Sequence, residues 1–368
     1  MLASAEPLPA IPVVDIAPGG LPRHAAESAA RAQALREECL SALPRSARLM
    51  LPAIDALTRR WLMRSASPYV AEIAAIVAAL DAPGIWFLNG SYEWGCTALA
   101  RDEGGVPWLA RTLDWPFAGL GRHVEIARMQ GAAGTFAAVT WPGFAGVLNA
   151  MAPGRFAASI NQAPLWRRTR HPWLRAYDIA MNALATGRVR FMPPDHLLRQ
   201  VFETCGSFSE ARAMLETVPV ARPVNFTLAG CRAGESCVIE RTEQGFASRD
   251  TDTGAANDWL PRRTHWEARI STEHLLTRTT EEAAENSSTR RLALAAWAGR
   301  FERGGFDWVV PPVLNPFTRI AVEMCPAKGV LRALGYESSA DAELPVPVTQ
   351  KREFQESGIS CQVSGAAQ

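Results

Sequence analysis

The chain has 368 residues, 48% of them hydrophobic, enough apolar material for one large or two ordinary domains. With 38 Lys and Arg against 37 Asp and Glu, the bulk charge argues against nucleic acid or an anionic membrane as partner. Seven cysteines, at 39, 96, 205, 231, 237, 325 and 361, are odd in number and scattered. That argues against a disulfide framework and fits a reducing, cytoplasmic setting. The first twenty residues carry neither a basic n-region nor an apolar h-region, and no apolar run approaches the length of a membrane span.

Residues 1–22 are rich in Pro and Gly, with one extended run at 11–16. Apolar residues then recur at helical spacing over 23–43 and again over 47–63. Ser67-Pro68 reads as N-cap and first residue of a third helix ending at 80. Asp81-Ala82-Pro83 opens a short fourth helix carrying Trp86, Phe87 and Leu88.

Two apolar runs follow, 96–100 and 106–113, joined by Arg-Asp-Glu-Gly-Gly at 101–105. Runs of this length around a Gly-containing connection predict a β-hairpin. Cys96 opens the first strand just after Gly95, and Arg111 and Asp114 close the second. Pairing therefore brings the thiol towards a guanidinium and a carboxylate, and a nearby cation favours the thiolate.

Short strands at 124–130, 135–141, 146–150 and 156–161 are punctuated by Gly and Pro, as in an antiparallel sheet. The last ends at Asn161, a residue that also suits a turn at a strand end. Residues 166–175 hold four Arg, one His and two Trp. Such a cluster fits solvated surface, the rim of a pocket for an anionic substrate, or a nucleic-acid contact, with surface preferred. Helices are expected at 176–185, 194–204 and 209–216, the last capped by Ser209, and strands at 224–228, 237–241 and 246–249. Cys231 and Cys237 lack metal-ligand spacing and read as structural thiols.

Residues 286–291 read as a polar turn before a helix, and 309–324 as a turn leading into a core strand continued by 329–333. Beyond 340 the chain is polar and Pro-rich, and from 349 a mobile tail is expected. There is no Gly-x-Ser-x-Gly elbow, His-Glu-x-x-His helix, phosphate loop or dinucleotide fingerprint, and the six histidines show no metal pattern. No cofactor and no metal is expected.

Gly95-Cys96-Thr97 followed by Arg111-x-x-Asp114 resembles the cysteine N-terminal-nucleophile (Ntn) hydrolases. Within them it is closest to acid ceramidase and N-acylethanolamine acid amidase, with choloylglycine hydrolase and penicillin acyltransferase as cousins. Asn89-Gly-Ser-Tyr92-Glu93 is similar to the end of that group's small subunit, and Ala256-Asn257-Asp258-Trp259 resembles its Thr-Asn-Tyr-Asp signature. Ala and Trp here stand where Thr and Tyr are usual. The segment at 286–291 resembles the group's Ser-x-x-Arg, matching Arg290 best, with Arg291 as the alternative. The segment at 309–324 is similar to its late Pro-Val-Tyr-Asn-Asn-Phe-Thr strand.

The resemblance implies an α+β fold: a four-layer αββα sandwich with a helical pre-piece packed on it. Residues 1–95 would be the small subunit left by self-cleavage before Cys96, 96–348 the catalytic core and 349–368 a tail. It implies Cys96 as nucleophile with its freed amine as general base, which suits a thiol of pKa roughly 8.5 beside an amine of roughly 7.7–8.0. Asp114 would hold that amine, Asn257 would donate to the oxyanion, and Arg111 and Arg290 would supply positive charge. Asn161 and Trp115 would contact substrate. The implied reaction is hydrolysis of a linear amide in a small N-acyl compound, through an acyl-enzyme. An acyltransferase and a non-catalytic acyl- or lipid-binding protein are the alternatives. The implied partners are that substrate and the chain's own two fragments, with neither nucleic acid nor stable membrane insertion.

Overall fold

The computed structural model describes residues 7–90, 95–269 and 278–356. Strand β1 (Val13–Asp15) leads into five helices: α1 (Gly20–Glu27), α2 (Ala29–Ser41), α3 (Arg45–Leu62), α4 (Val70–Leu80) and α5 (Ile85–Gly90). The single helix expected over 23–43 is two, because Ser28 takes φ −105°, ψ 16° and leaves the helical path. Helix α3 buries Leu51, Asp55, Trp61 and Leu62 on one face. Its Asp55 accepts the backbone N–H groups of Gly84 (2.6 Å) and Phe87 (2.8 Å) at the start of α5. A carboxylate there satisfies donors that a helix start leaves open.

The hairpin forms as β2 (Gly95–Glu103) and β3 (Val106–Asp114), followed by α6 (Leu120–His123), β4 (Glu125–Gly131), β5 (Gly134–Thr140), β6 (Asn149–Ala152), β7 (Phe156–Gln162) and β8 (Leu165–Trp166). Helices α7 (Arg175–Thr186), α8 (Pro194–Thr204) and α9 (Phe208–Thr217) come next. Strands β9 (Val224–Ala229), β10 (Ser236–Arg241), β11 (Phe246–Arg249), β12 (Gly254–Ala255) and β13 (Trp266–Glu267) precede α10 (Thr280–Ala296). The chain closes with β14 (Thr318–Cys325), β15 (Val330–Glu337), β16 (Val346–Pro347) and β17 (Arg352–Gln355).

One sheet runs β1-β4-β5-β6-β7-β9-β10-β11; the other runs β12-β2-β3-β14-β15-β16, with β17 also paired to β15. The sheets face each other through β2 and β3 against β7 and β9. Helices α8 and α9 cover the outer face of the first sheet, while α10 lies on β2 and β12 and α6 on β15 of the second. The result is a four-layer αββα sandwich. Alternation along β3 shows why both faces are apolar: Leu109 and Leu113 enter the core between the sheets, whereas Trp108 and Ala110 enter the core beneath the outer layer.

Four further expectations need correction. The third helix begins at Val70 with Tyr69 as its N-cap, so Ser67-Pro68 lies before it. Residues 286–291 lie inside α10, which begins at a Thr279–Glu282 capping box and not after the polar run. Ser207, not Ser209, caps α9, accepting the N–H of Glu210 at 3.3 Å. Part of the expected tail is the edge strand β17, whose Phe354 packs against the core; its single apolar residue gave no strand pattern. The segment from 357 lies outside the described residues. Among the described residues no helix is long and apolar enough to cross a membrane.

Candidate active site

Register decides what surrounds Cys96. Across the hairpin Gly95 faces Asp114, Cys96 faces Leu113 and Ala98 faces Arg111. Residues two apart point to one face, so Cys96 and Arg111 both enter the space between the sheets. Arg111 Nη2 donates to Cys96 Sγ at 2.9 Å and to the Ile160 carbonyl at 3.0 Å. Both side chains are fully buried. Burial pushes the Cys96 thiol up, and the Arg111 charge pulls it partly back. A thiol so placed needs a base to give up its proton.

Thr97 points to the opposite face, under α10. Arg290 reaches down from that helix, its Nη1 donating to the Cys96 carbonyl (2.8 Å) and to Thr97 Oγ1 (2.7 Å). Its Nη2 donates to Asn257 Oδ1 at 2.9 Å, and its Nε to Asn286 Oδ1 at 3.1 Å. The same Asn257 oxygen accepts the Cys96 N–H at 3.1 Å, while Asn257 Nδ2 donates to the Gln162 carbonyl at 3.0 Å. Asn257 thus holds the nitrogen of Cys96 through its side-chain oxygen. Arg291 turns away to Asp252 at 3.0 Å, so Arg290 is the arginine at the site.

Asp114 sits across from Gly95. Its carboxylate accepts from Thr318 Oγ1 (3.0 Å) and Asn315 Nδ2 (2.9 Å), with Arg290 Nη1 at 3.6 Å. Asn315 and Thr318 were not anticipated; the signal was the Asn-Pro-Phe-Thr run in the late segment already compared with the acid amidase. Asn161 is buried and donates to the carbonyls of Ala255 (3.1 Å) and Ala256 (3.3 Å). It therefore grips the Asn257 loop from behind, and the neighbouring Gln162 forms the cavity wall. Asn225, opposite Asn161 in the sheet, braces the same loop through Asp258 and Trp259.

A cavity of about 550 Å³ ends at this cluster. Its polar end carries Gly95, Asp114, Asn257, Asn286, Arg290 and Asn315. Leu35, Leu51, Ile54, Phe87 and Leu88 of the first helices also line it, together with Trp115, Phe117 and Trp141 and the arginines Arg36, Arg269 and Arg278. Trp115, expected to contact substrate, lines this cavity, whereas Asn161 is not part of its lining. The arginine-rich run at 166–175 is largely surface: Trp166, Arg168, Arg170, His171 and Trp173 are exposed, while Arg167 and Arg175 turn inward and are buried.

The αββα sandwich with Cys96 at the start of β2 is the arrangement that the sequence resemblance implied. No family model matches the chain. It is 27% identical over 222 residues to a probable acid ceramidase of Caenorhabditis elegans, covering 55% of this chain and 54% of that protein. It is 27% identical over 188 residues to the N-acylethanolamine-hydrolyzing acid amidase of Cavia porcellus, covering 49% and 50%. The chain thus spans about half the length of the curated relatives it matches. Among solved structures it is similar to an N-acylethanolamine-hydrolyzing acid amidase ortholog of Caenorhabditis elegans (TM-score 0.44, 18% identity, 63% of this chain and 93% of that one). A conjugated bile acid hydrolase of Clostridium perfringens gives TM-score 0.36 and 9% identity over 71% and 97%. Over about half of its length the chain is thus similar in sequence to acid ceramidases and acid amidases.

Proposed function

We propose that this chain is a self-processing cysteine amidase that hydrolyses the linear amide of an N-acyl compound with a hydrophobic acyl group. The observation that carries this reading is the setting of Cys96. Its sulfur is on Arg111 and its nitrogen on Asn257, and the adjoining Gly95 lines a largely apolar cavity. In the uncut chain Gly95 forms the wall and Cys96 is wholly buried behind it. Cleavage between the two residues would uncover the thiol and turn its amide nitrogen into an amine. That amine takes the thiol proton, since an α-amine titrates near neutrality and its attachment to the nucleophile fixes its position. The thiolate attacks the substrate carbonyl and expels the amine product, which receives the proton. Water then opens the acyl-enzyme. Asp114 and Asn257 orient the Cys96 amine, Arg111 and Arg290 supply positive charge, and the Asn257 amide serves the oxyanion when substrate replaces the Gly95 segment. The six described cysteines are free thiols, which supports a reducing, cytoplasmic location.

Intact-mass measurement tests the reading. Wild-type protein should give two fragments split between Gly95 and Cys96 and should hydrolyse a chromogenic N-acyl anilide. Cys96→Ala should remain one chain and be inert. An uncut wild type that still hydrolyses amides would overturn the mechanism.

A further inference from the structure

Outside the catalytic cluster, one buried charge bonded on several sides lies beside the arginine-rich run. Glu267 is 2% exposed and accepts from Arg167 Nη1 (2.5 Å), Arg175 Nε (2.8 Å), Arg175 Nη2 (2.5 Å) and Thr280 Oγ1 (2.7 Å). Arg167 Nε in turn donates to the buried Asp178 at 2.7 Å. Two buried cations thus face two buried anions, which a low-dielectric interior requires.

What Glu267 joins matters more than its bonds. It closes β13, and two residues later the Arg269 N–H donates to the Asn257 carbonyl at 3.1 Å. Its bond to Thr280 fixes the first residue of α10, the helix that delivers Arg290. One carboxylate therefore ties together the two segments whose side chains, Asn257 and Arg290, meet at 2.9 Å over Cys96. Arg290 stands ten residues beyond Thr280, roughly 15 Å along a rigid helix at about 1.5 Å per residue. A tilt at the helix start is carried to the guanidinium.

We propose that Glu267 is a positioning residue for the chemistry at Cys96: by clamping the start of α10 to the strand behind Asn257, it sets the spacing of Asn257 and Arg290 over the nucleophile. The inference rests on the amidase reading of that site. It also gives the run at 166–175 a purpose, since Arg167 and Arg175 hold the clamp from the opposite side.

Glu267→Gln removes the charge at nearly constant shape, and Thr280→Val removes only the tether to α10. Five quantities are read on each: extent of self-cleavage, kcat and KM for an N-acyl anilide, the rate at which iodoacetamide alkylates Cys96, and the melting temperature. The proposal expects kcat per folded molecule to fall about tenfold for Glu267→Gln and about threefold for Thr280→Val. KM should stay within about twofold, and the alkylation rate should shift in both variants. A melting shift with kcat and alkylation at wild-type values would overturn it. Should Glu267→Gln fail to fold, Thr280→Val decides alone, because Thr280 lies at an exposed helix start. Should the wild type hydrolyse no amide, the amidase reading fails on its own, while the alkylation rates still test whether the clamp reaches Cys96.

Discussion

At the scale of single residues, the site is a set of groups that each hold another. Asp114 is held by Thr318 and Asn315 and faces Arg290. Asp114→Asn would point an amide N–H at one of these donors, so two kinds of loss are expected. Leaving buried donors unmatched should cost about 1–3 kcal/mol of stability. On the proposed mechanism, in which that charge orients the Cys96 amine, its loss should lower turnover per folded molecule by about a hundredfold. A melting curve and an active-site-normalised rate on one preparation separate the two; a destabilised but fully active variant would remove Asp114 from the mechanism. A second residue reports on pH. Burial pushes the Asp195 carboxyl up to about 7, far above an unfolded value of about 3.9. The fold therefore favours its neutral form. That preference is fully present below about pH 4 and is lost as pH rises through 7. Asp195→Asn, which cannot ionise, should gain stability over wild type between pH 5 and pH 8, by at most about 4 kcal/mol at 1.36 kcal/mol per unit. Melting temperatures of both proteins across that range check the sign: an unchanged or shrinking gap means Asp195 is already ionised in the fold.

At the scale of elements, legibility followed periodicity. Helix α8 and strand β11 lie where the pattern put them, and the hairpin differs only at its ends, because alternation and turn residues are local signals. Helix α10 was read late because Glu-Asn-Ser-Ser-Thr-Arg-Arg at 285–291 offers almost no apolar stripe; its start is set by a cap, not by a hydrophobic face. Arg290 was nonetheless found by resemblance, while Asn315 and Thr318 were missed because their partner Asp114 lies some two hundred positions away. The junction of α3 and α5 carries a test. Asp55 holds the first N–H groups of α5, and α5 leads into the segment before Gly95. Asp55→Ala should lower the melting temperature and slow self-cleavage several-fold, with Asp55→Asn intermediate because it keeps one acceptor. Fragment appearance on a timed denaturing gel measures this; unchanged kinetics in a destabilised Asp55→Ala would mean that α5 does not present the junction.

At the scale of the molecule, the layers were foreseeable and the strand order was not. Pairing of β12 with β2 and of β3 with β14 joins segments far apart in sequence, which no local pattern encodes. The N-terminal piece is built into this order. Strand β1 adds to the first sheet beside β4, and Glu125 of β4 accepts from Arg31 and pairs with His24 at 2.7 and 2.6 Å. Trp61, Leu62, Ile73, Ile76 and Leu80 belong to the same core as Phe136, Val147 and Leu198. Each such side chain contributes about 1.5–3 kcal/mol when fully buried. Breaking the one bond between Gly95 and Cys96 leaves all of these contacts in place. The two fragments should therefore remain one particle after processing, eluting from a sizing column at the volume of the uncut Cys96→Ala chain while running as two bands in detergent. High salt should not part them, since burial and not surface charge holds them. Denaturant should separate them in the same transition that unfolds the sheets. Fragments that part on the column in ordinary buffer would show that the first five helices are a detachable module, and that they do not wall the cavity beside Cys96 in the processed protein.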